Sequence, residues 1–147
     1  MTTAKITGYE KNIASIFSDD FAFEIPLYQR PYAWTTENAE ELLNDVEAYL
    51  DDDTDIENID PYFLGSIVLI KNLTPKAAVV DGQQRLTTLT ILLSVLRYYA
   101  DEADKALLTP FIFEQGNKFK GTSDRPRLML RERDRVFFQE YIQRAKD

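Results

Sequence analysis

Apolar spacing divides the chain into alternating helical and extended segments. Ile13, Ile16 and Phe17 recur at helical intervals, which predicts a short amphipathic helix within Tyr9 to Phe17. Phe21 to Ile25 reads as a strand that Pro26 ends. Pro26 and Pro31 make the stretch up to Trp34 an extended loop. From Ala39, the residues Leu42, Leu43, Val46, Tyr49 and Leu50 follow at intervals of 3, 4, 7, 10 and 11, one apolar helical stripe. Thr35 or Thr36 suits its N-cap, and Glu37 suits its first turn.

Beyond an acidic stretch from Asp51 to Asp60, Tyr62 to Ile70 is nearly all apolar and predicts a buried strand. Ala77 to Val80 is expected to pair with it as a hairpin. Asp81-Gly82-Gln83-Gln84 breaks that strand, and a long helix is expected from about Arg85 to Ala100. Leu86, Leu89, Leu92, Leu93, Val95 and Leu96 surround most of its circumference, the mark of a central buried helix. The pattern weakens after Asp101. Glu114 to Arg125, with Gly116, Gly121 and Ser123, reads as a mobile loop, Leu128 to Leu130 as a short strand, and Arg131 to Arg144 as a helix. The chain stops soon afterwards at Lys146-Asp147, so the expectation is one domain, 1–147, from the N-terminal part of a longer protein. Its core is expected at about 10–100, with a helical and loop extension over 101–147.

Composition narrows the chemistry. With 147 residues, 44% of them apolar, and nine Phe, eight Tyr and one Trp, the chain can bury a core and does not read as disordered. No apolar run approaches the roughly 20 residues that cross a bilayer, so no membrane role and a cytoplasmic place are expected. His and Cys are both absent. That removes the Ser-His-Asp triad, the thiol nucleophile, zinc fingers, thiolate or imidazole metal sites and His-Asn-His nuclease chemistry from this chain. Carboxylates, amides, hydroxyls, Arg, Lys and backbone N–H groups remain, an inventory suited to Mg²⁺ and phosphate substrates. A net charge of -8 argues against tight nonspecific binding to duplex DNA.

Two segments carry candidate chemistry. In Val80-Asp81-Gly82-Gln83-Gln84-Arg85-Leu86-Thr87-Thr88 a strand ends, a glycine turns and a helix begins. Helix starts leave N–H groups unpaired and bear partial positive charge, so phosphates bind there. Gly82 allows close backbone approach, Arg85 offers a two-pronged grip on phosphate, Thr87 and Thr88 offer hydroxyls, and Asp81 offers a ligand for Mg²⁺ or water. A purely structural account also fits: Asp81 and Gln84 have capping-box spacing. The second segment, Ile25-Pro26-Leu27-Tyr28-Gln29-Arg30-Pro31-Tyr32-Ala33-Trp34, places an amide, a guanidinium and aromatics on a stiff loop. Gln29 and Arg30 suit phosphate, and Tyr28, Tyr32 and Trp34 suit base stacking, unless Tyr32 and Trp34 are core aromatics.

Two further segments carry less. Counted as a calcium loop from Asp51, the acidic stretch has Ile56 where Gly is needed and Tyr62 where Glu is needed, so it reads as solvated charge. The basic cluster Arg125, Arg127, Arg131, Arg133 and Arg135 could touch nucleic-acid phosphates, but with Asp124, Glu132 and Asp134 interleaved it reads rather as surface ion pairs.

Taken in order, the Tyr28-Gln29-Arg30 loop, Tyr62-Phe63-Leu64-Gly65-Ser66-Ile67 and the Asp81-Gly82-Gln83-Gln84-Arg85 stretch resemble the N-terminal domain of GmrSD-type, modification-dependent restriction enzymes. The resemblance implies an α+β fold of the ParB/sulfiredoxin-like kind, a small mixed sheet packed by helices. It further implies binding and hydrolysis of nucleoside triphosphates with Mg²⁺, a phage-defence role in recognising modified DNA, and a C-terminal or separate His-Asn-His nuclease domain as partner. The family's nucleotide-handling motif then falls on Asp81, Gly82, Gln83, Gln84, Arg85, Thr87 and Thr88, and its upstream motif on Ile25, Pro26, Tyr28, Gln29, Arg30, Tyr32 and Trp34.

The expected catalytic residues are Asp81 (also the metal ligand), Gln84, which would position water, and Arg85. The expected nucleotide contacts are Gln29, Arg30, Tyr32, Gly82, Gln83, Arg85, Thr87 and Thr88, with Tyr28 and Trp34 for base stacking. A non-catalytic sensing module for nucleotide or modified DNA, and a regulatory domain in which both motifs are structural, stay open as alternatives.

Overall fold

The computed structural model describes residues 6–50 and 53–144. The elements follow in the order α1 (Ile13–Ile16), β1 (Ala22–Glu24), α2 (Thr36–Tyr49), β2 (Val68–Lys71), β3 (Lys76–Asp81), α3 (Gln83–Tyr99) and α4 (Glu102–Ile112). Then come β4 (Phe113–Glu114), β5 (Arg125–Pro126), β6 (Leu128–Met129) and α5 (Glu132–Phe137), which continues as a π-helical turn over Phe138–Gln143. The architecture is α+β, a small mixed sheet packed by helices.

The sheet has the order β2-β3-β1-β6. β2 and β3 form the expected antiparallel hairpin, whereas β1 runs parallel to both β3 and β6. Alternation fixes its faces. Phe23, Ala77, Val79 and Leu128 point inward and join Leu86 and Leu89 of α3 in the core, with Ile25, Leu42, Leu130 and Phe138 around them. The parallel placement of β1 beside β3 sets the Gln29 loop, which follows β1, next to the start of α3, which follows β3.

Several expectations change in the structure. The first helix spans only Ile13–Ile16, because the Asn12 side chain accepts from the Ser15 N–H at 2.9 Å and caps it there. Tyr62 to Ile70 is not a buried strand: only Val68–Lys71 pairs, Ile70 is 63% exposed, and Gly65 at φ +115° interrupts the extended run. An all-apolar run mimics a two-sided buried strand, but the outer face of this hairpin has no described cover. The central helix begins at Gln83, and burial is confined to its N-terminal two-thirds, with Val95, Leu96 and Tyr99 exposed.

Asp81 is not an N-cap but the last residue of β3, so the proposed capping box with Gln84 does not form. α4 was not anticipated, although Asp101 caps it through the Asp104 N–H at 2.8 Å. The expected mobile loop over 114–125 is a hydrogen-bonded hairpin, closed by β4 against β5 and by the Gly116 N–H on Asp124 Oδ1 at 2.8 Å. From Asp53 to Asp60 the acidic stretch is mostly exposed, with a single 3-10 turn, whereas Asp51 and Asp52 lie outside the described residues, as do Lys146 and Asp147.

The arginine cluster is not a row of neighbourly surface pairs. Arg127 is buried, its guanidinium held by Asp19 at 2.9 Å and by the Pro110 carbonyl, so it ties β6 to the N-terminal segment and to α4. Arg125 pairs with Glu24 at 3.6 Å, and Arg131 with Asp134 at 3.0 Å. Elsewhere, the Tyr62 hydroxyl donates to Asp45 Oδ2 at 3.0 Å and ties the 62–67 segment to α2; that bond raises the phenol pKa above its ordinary 10.0.

Candidate functional site

The two motifs meet, and glutamines hold them together in both directions. Gln29 of the first motif donates its amide to the carbonyl of Val80 at 2.9 Å, at the end of β3. Gln84 of the second donates to the Pro31 carbonyl at 3.0 Å and accepts from the Ala33 N–H at 2.7 Å. Each such bond contributes roughly 1 kcal/mol net. Residues some fifty positions apart are thereby fixed side by side. The Gln84 amide, expected to position water, has its oxygen and one N–H engaged with the loop backbone.

Between the motifs lies a cavity of about 10 Å³, room for about one water. Arg30, Pro31 and Tyr32 line it from the loop, and Gln83, Gln84 and Thr87 from α3. Arg30 is exposed and has no ion pair among the described residues. Gln83 is 8% exposed, and its side-chain amide has no hydrogen-bond partner among the described residues. The amide faces the cavity and solvent, since Gln143 Oε1 is the only enclosed, unpartnered side-chain polar atom among the described residues, so a ligand atom can replace water there.

The start of α3 explains why this end is open. Gly82 occupies the N-cap at φ +95°, in the left-handed region that favours glycine, and supplies no side chain to cap the first turn. No acidic residue stands in that turn to offset the helix dipole. The approach is close as well: a Cβ on Gly82 would stand 2.5 Å from Ile67 Cγ2.

Other expected site residues are arranged differently. Arg85 does not line the cavity. Its guanidinium lies on Gly65, where a Cβ would fall 2.4 Å from Cζ, and donates to the Ser66 carbonyl at 3.0 Å. It therefore flanks the helix start on the side of the 62–67 segment, with Arg30 on the other. The hydroxyls of Thr87 and Thr88 donate back to the carbonyls of Gln83 and Gln84 at 2.7 and 2.8 Å. With its single hydrogen so used, Thr88 accepts from the Tyr32 hydroxyl at 2.9 Å. Tyr28 is 71% exposed and open to solvent, while Trp34 packs against the core. Asp81 is exposed at the strand end, two residues before Gln83, and does not line the cavity.

A family model described as GmrSD restriction endonuclease, N-terminal domain, matches residues 13–147. The chain belongs to that family. No curated protein matches it. This GmrSD N-terminal domain is thus a module of a restriction system, and among its described residues no helix is long and apolar enough to cross a membrane.

Two residues at the cavity of the GmrSD domain belong to the stretch whose pattern reads as surface ion pairs. Arg131 and Asp134, from the junction of β6 and α5, complete its wall together with Leu130 and Ile25. Arg131 Nη1 donates to the carbonyl of Gln29 at 3.1 Å, so the C-terminal part of the chain buttresses the first motif. A sequence signal existed, a basic residue directly after an apolar strand, but parallel pairing of β6 with β1 was needed to bring it here.

Proposed function

We propose that this domain binds nucleoside triphosphates at the glycine-capped start of α3 and hydrolyses them with Mg²⁺. Turnover then regulates or powers a separate nuclease domain of the restriction system, in response to modified DNA. One observation carries the reading: at the positive end of a helix the Gln83 amide has no partner among the described residues and shares its cavity with the guanidinium of Arg30, which has no ion pair among them. The absence of His is consistent with DNA cleavage lying in another domain. The ParB/sulfiredoxin-like assignment belongs to the same proposal, since a nucleotide against a polar loop and a helix start is what that fold implies.

The cavity has room for about one water, so the triphosphate lies along its exposed mouth, with Arg30 and Arg85 on either side of the helix end. Phosphate oxygens accept from the first-turn N–H groups, and the guanidinium groups offset charge that develops during transfer. No cluster of three or more metal-ligating side chains exists among the described residues. Mg²⁺ uses one or two carboxylates and otherwise phosphate oxygens and water; Asp81, exposed at the end of β3 just before the helix start, would be the carboxylate that holds it. Mg²⁺ would supply charge neutralisation at the leaving phosphates.

A second reading, a sensing module without catalysis, is favoured by one observation: Asp134, the carboxylate that does line the cavity, is already paired with Arg131. Calorimetric titration with a panel of nucleoside triphosphates and Mg²⁺, together with a phosphate-release assay, tests both. Binding with phosphate release that Asp81→Ala abolishes supports hydrolysis. Binding without release supports sensing. No binding of any nucleotide by the folded protein overturns both.

A further inference from the structure

Arg131 and Asp134 have no part in the motifs that define the site, yet they form its third wall. The Arg131 side chain is only 15% exposed, whereas that of Asp134 is 39% exposed. Arg131 Nε meets Asp134 Oδ2 at 3.0 Å while Nη1 holds the Gln29 carbonyl at 3.1 Å. The remaining donors of this guanidinium have no partner among the described residues. Around one small cavity there are therefore two guanidinium groups, one carboxylate, the positive end of α3 and the partnerless Gln83 amide. The local balance is positive in a chain whose net charge is -8.

We propose that Arg131 is an anion-binding residue of this site and that Asp134 is its internal placeholder. Without ligand, the Asp134 carboxylate satisfies a mostly buried guanidinium that would otherwise carry an uncompensated charge. A phosphate group entering at Gln83 and Arg30 competes for the same fork of donors, which matches phosphate geometry as well as carboxylate geometry. Asp134 is the more exposed partner and swings toward solvent, where its charge is readily hydrated. The pair thus sets a threshold: a highly charged group such as a triphosphate displaces the carboxylate, and a weakly charged one does not. This deepens the nucleotide reading above and rests on it.

The two variants are predicted to act in opposite directions. Arg131→Ala removes a donor fork and weakens binding of tripolyphosphate and of nucleoside triphosphate at least tenfold. Asp134→Asn removes the competing charge and strengthens both roughly threefold or more, the scale expected for one charge at a partly solvated site. Calorimetry on the whole chain, at fixed ionic strength and with and without Mg²⁺, measures both. Were the pair a strut for the Gln29 loop and nothing else, both variants would weaken binding together, and the proposal fails. It also fails if both bind like the parent, and the nucleotide reading then survives. If the parent binds neither probe, both readings fall. Should Arg131→Ala not fold, the sign of the Asp134→Asn effect decides.

Discussion

The starts of α2 and α3 show two ways of ending the same backbone problem. At α2, Thr35 accepts from the Asn38 N–H at 3.3 Å and Asn38 Oδ1 accepts from the Thr35 N–H at 3.0 Å, a reciprocal box, with Glu37 in the first turn. That end is self-satisfied and its charge is offset. At α3, Gly82 offers no side chain, no acid stands in the first turn, and the residues with capping ability are used elsewhere. Asp81 is still in its strand and Gln84 staples the neighbouring loop. The contrast separates a helix start built for local stability from one left electropositive, with Arg30 and Arg131 at its cavity and Arg85 turned to the 62–67 segment. A helix end that lacks its own cap, in a chain able to provide one two residues away at Asp81, is the more informative of the two.

Substitutions should break that contrast in a definite order. Gly82→Val should have the largest effect, lowering stability by about 3 kcal/mol in urea denaturation, because a β-branched residue meets both the left-handed φ and the Ile67 side chain. Gln84→Ala should follow at about 2 kcal/mol, since it severs two bonds that join the motifs. Arg30→Ala should leave the melting temperature unchanged but weaken nucleotide binding about tenfold, roughly 1.4 kcal/mol, as read by calorimetry. Thr35→Ala should lower stability by about 1 kcal/mol and leave nucleotide binding untouched. If Thr35→Ala disturbed binding as much as Arg30→Ala, the two helix starts would not differ in role.

The smallest effect concerns pH. Tyr62 holds its proton to higher pH in the folded chain because it donates to Asp45. Its contribution is thus present below pH 10.0 and is lost as the pH rises through the elevated folded value. Phenolate absorbance should show a late-titrating component that Asp45→Asn moves to lower pH.

Much of this was open to a reader of the sequence. The helix after Thr35, the hairpin before Asp81 and the turn at Gly82 are local matters, set by apolar spacing, cap chemistry and glycine. The α+β class follows from those elements, and the pairing of the two motifs was expected from their resemblance to the family. The misreadings share a cause. Tyr62 to Ile70 is apolar enough to suggest a buried strand, but apolarity does not say whether a second layer covers the sheet. α4 escaped because Pro110 and a weak stripe obscured a sound cap at Asp101.

Tertiary structure decided which polar groups are used and which stay open. Gln83 and Gln84 are adjacent and chemically identical and both line the cavity, yet a helical step of about 100° leaves one amide open there and fastens the other to the loop backbone. Arg131 was joined to the site by strand order, since parallel pairing of β6, β1 and β3 is a long-range event that no local pattern encodes, and Arg85 was drawn from it by the Ser66 carbonyl. Residue types determined the available chemistry of this domain, amides, guanidinium groups and carboxylates with no imidazole or thiol. Their division into staples, struts and open donors was determined by packing, because a hydrogen bond depends on where the chain brings its partner.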